Sequence, residues 1–126
     1  MNNKCCKYDN LCDTLEYGNI SEHESISICN SIIAESTSET EPAVLESMFH
    51  AIFTAIVNRK IGKELNTDSI INNIETYSEE ISDYIITILA YSGKREYEII
   101  IKHLGEKFPD LDINEALTEL YSRSQS

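Results

Sequence analysis

The segment Pro42–Val57, PAVLESMFHAIFTAIV, is the longest stretch of the chain in which apolar residues recur at helical spacing with few polar residues between them. Its large apolar side chains follow one another in steps of three and four, which places them in a broad stripe on one side of a helix. Much of the remaining surface is also small or apolar, through Ala43, Val44, Ala51 and Ala55. Such a helix must be covered on more than one side, so we expect Pro42–Val57 to be the central helix of the fold.

Helical periodicity also runs through the rest of the chain. Ser21 and Glu24 form a capping-box pattern at the start of one predicted helix, and Pro42 suits the first turn of the next. Only four glycines and two prolines interrupt the sequence. These features predict an all-α protein whose helices cover Cys6–Tyr17, Glu22–Glu35, Pro42–Val57, Thr67–Tyr77, Ser78–Tyr91, Lys94–Lys107 and a last segment from Asp112 to Tyr121.

A length of 126 residues fits one domain with a single hydrophobic core, which we assign to residues 1–126. Residues 1–5 and 122–126 are expected to be frayed. The short loops predict antiparallel helical hairpins, of which the central helix with Thr67–Tyr77 would be one and Ser78–Tyr91 with the following helix another. Their length of about 35 residues is that of α-solenoid repeats. A stack of this kind and an irregular compact bundle both remain open.

The chain is strongly acidic, because 22 acidic residues against 10 basic ones give a formal net charge of −12. No lysine or arginine occurs between Lys7 and Arg59, or between Glu64 and Gly93, whereas acidic residues are frequent in both segments. A field of this sign repels nucleic acid and anionic membranes and attracts basic partners. The acidic residues therefore serve solubility alone, or they form the surface that binds a basic protein.

The histidines and cysteines do not form the local pairs that metal sites or nucleophilic catalysis require. His23, His50 and His103 lie on three different predicted helices, each without a second histidine or cysteine three or four positions away. The four cysteines have spacings unlike those of zinc sites, and we expect reduced thiols. Glycine-rich phosphate loops and serine nucleophile motifs are absent from the sequence as well. We therefore expect no metal, no cofactor and no enzymatic activity.

The sequence also lacks the usual signs of export or membrane insertion. Its longest uncharged stretch, Ser47–Asn58, is far shorter than the roughly 20 apolar residues that span a bilayer. The first residues contain no apolar core of a secretory signal. We expect a cytoplasmic protein that binds neither membranes nor nucleic acid.

The strongest candidate for a binding surface is a group of acidic residues around the predicted turn at residues 75–83. The candidate residues are Glu75, Glu79, Glu80 and Asp83, with Glu39, Glu41 and Glu46 as a second group and Tyr77 as an aromatic neighbour. Acidic residues at the start of a helix also stabilise the helix dipole, so capping is the alternative role. Tyr77 and Tyr91 are candidates for either core or interface, whereas Tyr84 and Tyr97 are expected in the core.

The segment Asp83–Leu120, about a third of the chain, carries a pattern of aromatic, apolar and glycine positions. The residues of this pattern are Tyr84, Ile85, Leu89, Tyr91, Gly93, Tyr97, Ala116, Leu117, Glu119 and Leu120. At these positions the segment resembles the C-terminal part of the helical, HEAT-like immunity proteins of bacterial polymorphic toxin and contact-dependent growth-inhibition systems. The resemblance implies a cytoplasmic protein without catalytic activity that binds a toxin domain, commonly a nuclease, and blocks its active site.

The resemblance and the charge lead to one functional hypothesis and one alternative. In the hypothesis, an acidic surface covers the basic active site of a cognate toxin nuclease, because carboxylates take the place of phosphates there. The alternative is a helical adaptor or regulatory module that docks another helix or peptide, in which tyrosine and isoleucine surfaces matter more than the acidic residues.

Overall fold

Residues 3–124 are described by the computed structural model, and they form seven α-helices and three single 3-10 turns. The helices are α1 (Asn3–Tyr17), α2 (Glu22–Ser36), α3 (Pro42–Asn58), α4 (Asp68–Ile71), α5 (Glu79–Ser92), α6 (Glu98–Lys107) and α7 (Ile113–Ser124). The 3-10 turns are Gly62–Glu64, Ile74–Thr76 and Arg95–Tyr97. Residues 3–124 contain no β-strand, so the prediction of an all-α protein is confirmed.

Side-chain caps and special backbone residues end the helices where the sequence predicts them. The hydroxyl of Ser21 accepts the backbone N–H of Glu24 at 3.1 Å at the start of α2. Ser78 caps α5 in the same way. Pro42 occupies the first turn of α3, where no N–H donor is needed. Gly93 closes α5 in the left-handed conformation, with a φ of 69°.

The prediction of one continuous helix over Thr67–Tyr77 is wrong. The segment forms the single turn α4 and then the 3-10 turn Ile74–Thr76. Asn73 lies between the two, and its side chain donates to the backbone carbonyl of Thr37 at 3.1 Å. This contact with a distant part of the chain holds Asn73 out of helical geometry, which asparagine tolerates because its side chain competes for backbone groups. The helix predicted from Lys94 also opens with a 3-10 turn, so that α6 begins at Glu98.

The two ends of the described chain are helical where fraying was expected. α1 begins at Asn3, and Lys4 makes a salt bridge with Glu39 at 3.1 Å. α7 continues to Ser124, and Arg123 both pairs with Glu119 at 3.1 Å and stacks over a tyrosine ring. These contacts hold the last turns in place. Residues 1, 2, 125 and 126 lie outside the described residues.

Four helices, α1, α3, α5 and α7, pack side by side in that order, and we call them the odd row. Neighbours in this row run in the same direction. Cys12 on α1 donates to Thr54 on α3 at 3.3 Å, and further along both helices the carbonyl of Leu15 accepts a bond from Arg59. Along α3, Phe49 contacts Tyr77 just before α5 and Phe53 contacts Tyr84 on α5. Near the end of α5, the Tyr91 ring lies under Arg123, near the end of α7. The odd row is therefore a layer of parallel helices.

The remaining helices form a second layer and run in the opposite direction. α2 packs on α3 and α4, and α6 packs on α5 and α7. Tyr8, in the first half of α1, donates to Glu35 near the end of α2 at 3.1 Å. Glu98, the first residue of α6, accepts a hydrogen bond from Tyr121 near the end of α7. This is the layered order of a short α-solenoid, one of the two arrangements that the sequence left open.

The hydrophobic core lies between the two layers, and α3 is its centre as predicted. α3 contacts α1, α2 and α5, and Phe49 and Ile52 are fully buried. The ring of Phe49 meets Tyr77 edge to face at a centroid distance of 5.3 Å. From α5, Ile85 and Leu89 complete the contact. The side of α3 that faces away from the second layer is left exposed.

Arg59, just past the end of α3, links α3 to the hairpin formed by α1 and α2. Its guanidinium donates to the carbonyls of Leu15 at 2.7 Å, Gly18 at 2.9 Å and Ile20 at 3.1 Å. These carbonyls belong to the end of α1 and to the loop that follows it, so they have no partners within a helix. One side chain thus satisfies three backbone acceptors.

We expect Arg59→Ala to lower the free energy of unfolding by about 2–3 kcal/mol, because the three carbonyls lose a charged donor. Arg59→Lys keeps the charge but lacks the planar fork that reaches several acceptors, so we expect an intermediate loss. Urea unfolding followed by circular dichroism measures both variants. Lys60→Ala, at the exposed neighbouring position, is the control, and equal stability of Arg59→Ala and Lys60→Ala would contradict the assigned role.

Candidate functional site

The outward surface of the odd row carries acidic residues from all four of its helices. We call this surface the acidic face and define it by Asp9, Glu46, Glu80, Asp83, Asp112, Glu115 and Glu119. Glu80 is exposed and precedes Asp83 by three positions on α5, which places both on one side of that helix. Two adjacent grooves cross this surface between the helices.

The large groove lies between α3, α5 and α7 and has a volume of about 690 Å³. Its apolar lining comes mainly from Phe53, Val57, Ile86, Ala90 and Tyr91. Its polar lining consists of Asp83, Thr87, Asp112, Asn114, Glu115, Thr118 and Glu119. All the charged residues that line this groove, among those described, are acidic.

The small groove lies between α1, α3 and α5 and has a volume of about 230 Å³. It is lined by Cys5, Asp9, Ala43, Glu46, Ser47, His50 and Tyr84. No lysine or arginine from residues 3–124 lines either of the two grooves. At one end of the acidic face Glu119 contacts Arg123, and Val57 and Tyr91 also line an adjoining groove whose charged residues include Arg59, Lys60, Lys63 and Arg123.

Tyr84 occupies the junction of the two grooves. Its ring lies 5.6 Å from the His50 ring and 5.4 Å from the Phe53 ring, measured between centroids. Partial burial raises the pKa of Tyr84, and the carboxylates of Glu46 and Asp83 raise it further. Two acidic residues from neighbouring helices are thus brought around one phenol. Tyr84 is half-buried at this surface, whereas the sequence favoured a place in the core.

The structure brings together three of the predicted binding residues. Asp83 lines the large groove and Glu46 the small groove, and Glu80 is exposed three positions before Asp83 on α5. Glu79 is half-buried in the first turn of α5, and Glu41 is the residue that precedes α3. The predicted residues that are exposed on the acidic face therefore lie near the meeting of α3 and α5.

Two other predicted binding residues are engaged within the fold. Glu75 lies 2.5 Å from the His103 ring nitrogen and 3.9 Å from the Lys107 ammonium on α6. Glu39 accepts the backbone N–H of Glu41 and the ammonium of Lys4, and both contacts lower the pKa of its carboxyl. These acidic residues have cations beside them already, so they offer less to a basic partner than the acidic face does.

Tyr77, predicted as a binding residue, has only 6% of its surface exposed, and it lines a groove of about 500 Å³ that Glu39 also lines. The ring packs against Phe49 in the core, and its burial raises the pKa of the phenol. Tyr97 is buried as expected. Tyr91 lines the large groove with the Arg123 guanidinium 3.9 Å from its ring centroid. Of the two tyrosines left open by the sequence, one therefore belongs to the core and the other to the surface.

Sequence reasoning missed Asp9 and the acidic residues of α7. Asp112, Glu115 and Glu119 follow at steps of three and four, a spacing that places them on one side of a helix. This spacing is visible in the sequence. The residues were not predicted as part of the binding surface because lysines occur in the preceding segment of the chain. Those lysines lie on α6, in the other layer.

Cys12 and His50 approach each other between α1 and α3, with the Cys12 sulfur 4.0 Å from His50 Nδ1. Burial raises the pKa of the Cys12 thiol, and the nearby carboxylates of Glu16 and Asp13 add to this effect. A nucleophilic cysteine requires the opposite shift, toward thiolate at neutral pH. The Cys12 thiol therefore keeps its proton and packs as a polar contact beside the small groove.

Residues 3–124 contain neither a cluster of metal ligands nor a membrane-spanning helix. No three or more histidine, cysteine, aspartate and glutamate side chains are grouped so as to hold a metal ion. No helix combines the length and the apolar character needed to cross a membrane. A comparison of the chain with models of known families, with characterised proteins and with solved structures finds no match.

We expect the double variant Glu46→Gln/Asp83→Asn to lower the pKa of Tyr84 toward its ordinary value without reaching it, because the two charges are removed and partial burial remains. Nuclear magnetic resonance of tyrosine labelled at the ring carbon that bears the hydroxyl measures the titration, with Tyr84→Phe to assign the signal. Glu22→Gln/Glu106→Gln changes the net charge equally at exposed positions elsewhere. If both double variants shift the pKa by the same amount, the two carboxylates do not surround Tyr84.

Proposed function

We propose that the protein is a cytoplasmic immunity protein that binds a cognate bacterial toxin domain, a basic nuclease, and neutralises it by covering its active site. The proposal makes the chain a binding protein without catalytic activity of its own. One observation carries it: the acidic face spans four helices and contains two grooves that no described lysine or arginine lines. The resemblance of Asp83–Leu120 to helical immunity proteins supports the same reading.

Electrostatics supports a nuclease as the target. An enzyme that cleaves nucleic acid binds a chain of phosphates through lysine and arginine side chains. Carboxylates held on a rigid row of helices present a similar series of negative charges, and they attract the same cationic cleft. The net charge of −12 would accelerate the encounter.

We place the centre of the toxin-binding surface at Glu46, Glu80 and Asp83, where α3 meets α5. These residues are exposed. Charge pairs that lose water at the centre of an interface influence affinity strongly, whereas exposed pairs at its rim contribute about 0–1 kcal/mol. Glu39 and Glu75, which already have the ammonium groups of Lys4 and Lys107 beside them, would contribute only to the long-range field.

A helical adaptor remains the second candidate, and the apolar lining of the large groove favours it. Val57 is 43% exposed on a helix that is otherwise central to the core. The aromatic residues Phe53 and Tyr91 lie in the same groove. An adaptor of this kind would hold a helix or peptide mainly by burying apolar surface.

We expect Glu80→Lys/Asp83→Lys to weaken binding to the toxin domain encoded beside this gene by about 30-fold or more, since a desolvated charge pair contributes about 2–5 kcal/mol. Glu22→Lys/Glu106→Lys reverses two exposed acidic residues on other helices and should change affinity far less. Calorimetry gives both dissociation constants, and growth of cells that express the toxin reports neutralisation. Equal losses in the two double variants would assign the effect to net charge, and the proposed centre would be wrong.

Salt separates the two candidate functions. Charge-steered association with a basic toxin should slow steeply between low and high ionic strength, because exposed charges are screened beyond about 10 Å at 0.1 M salt. Stopped-flow measurement of the association rate over a salt series tests this expectation. An association rate that does not change with salt would favour the adaptor.

A further inference from the structure

We infer that the large groove seats an amphipathic basic helix of the partner, whose apolar residues contact α3 while its lysine or arginine residues reach α5 and α7. This inference rests on the proposed function and names the partner segment that the groove would take. It concerns the space between helices rather than the acidic residues alone.

The groove has two chemically different walls. The wall from α3 consists of Phe53 and Val57, both of which are apolar. Across the groove, α7 and its cap contribute Asp112, Glu115 and Glu119. A partner segment that matches both walls must be apolar on one side and cationic on the other, which is the pattern of an amphipathic basic helix.

Two of the four carboxylates that line the groove have partners within the described residues, and the other two make no salt bridge there. Glu119 pairs with Arg123 at 3.1 Å, and Asp112 accepts the backbone N–H of Glu115 as the cap of α7. Asp83 and the Glu115 carboxylate make no salt bridge with any described residue. We therefore expect Asp83 and Glu115 to receive the incoming cations.

The size of the groove fits an inserted segment. Its volume of about 690 Å³ lies within the roughly 300–1,000 Å³ of pockets that enclose a ligand or a few side chains. The exposed surface of Val57 also lacks a covering partner within residues 3–124. Filling the groove would cover this apolar surface.

Charge selects the occupant. A second copy of this chain would bring another net charge of −12 to an acidic surface, and the two would repel. A purely apolar helix would remove the carboxylates from water without giving them a partner, which is costly. A basic amphipathic helix avoids both penalties.

The test uses the full-length protein and a fluorescent synthetic helix of leucine and lysine placed at helical spacing, at about 0.15 M salt. Thr87→Trp fills the groove without changing the charge, because Thr87 lines it from α5. Ser27→Trp adds the same side chain at an exposed position on α2. We expect Thr87→Trp to weaken peptide binding about tenfold or more and Ser27→Trp to leave it unchanged.

Further probes separate shape from charge. A peptide of the same composition in scrambled order should bind more weakly, and a version with glutamine in place of lysine should bind poorly. Thr118→Trp fills the groove from α7 at an exposed position and serves if Thr87→Trp does not fold. Circular dichroism and thermal melting establish that each variant keeps its helices.

The possible results distinguish this inference from the proposed function. If groove-filling variants and Ser27→Trp bind the ordered peptide equally, or if scrambled and glutamine peptides bind as tightly, the inference is overturned. If the protein still protects cells against the toxin after such a result, the proposed function is not contradicted. Peptide binding lost only in the groove-filling variants, without any protection against the toxin, would support the groove and contradict the proposed function.

Discussion

The burial of α3 is the constraint on which the rest of the structure depends. This helix is apolar around most of its circumference, so a single neighbour could not cover it. α1 and α5 pack on its two sides, and α2 covers it from the second layer. The one strip that stays exposed includes Glu46, His50 and Val57. Covering α3 therefore creates the layered stack and also fixes which surface remains available to a partner.

Periodicity was enough to predict nearly all of the fold, because most helices here are held by apolar stripes that local sequence encodes. The failures occur where a distant residue decides the local geometry. Asn73 is drawn out of a helix by the carbonyl of Thr37, which lies on another part of the chain. Nothing in the sequence around Asn73 reports that contact. Near the two ends of the described chain, Lys4 and Arg123 likewise contact side chains that only folding brings near.

The candidate site was predicted less well than the fold, because a charge is defined by its neighbours in space. Glu39 and Glu75 belong to segments without basic residues, yet folding gives them Lys4 and His103 as partners. Glu115 follows a segment with several lysines, but those lysines lie on α6 in the other layer. Distance along the chain from basic residues thus overestimated how available the carboxylates of Glu39 and Glu75 are to a partner. It underestimated the availability of the Glu115 carboxylate. Asp83 and Glu46 were found because they are far from cations in both the sequence and the structure.

The stack is one-dimensional, and this has a consequence for how the molecule opens. Each helix of the odd row packs mainly on its neighbours in the row, and the two end helices have such a neighbour on one side only. Among the described residues, α1 buries only the apolar side chains Tyr8 and Leu15, and α7 only Ala116 and Leu120. The small groove includes α1 and the large groove includes α7. α1 and α7, at the two ends of the odd row, thus bury fewer apolar side chains than α3 and α5, and a partner lying across both grooves would slow amide hydrogen exchange most at these two helices.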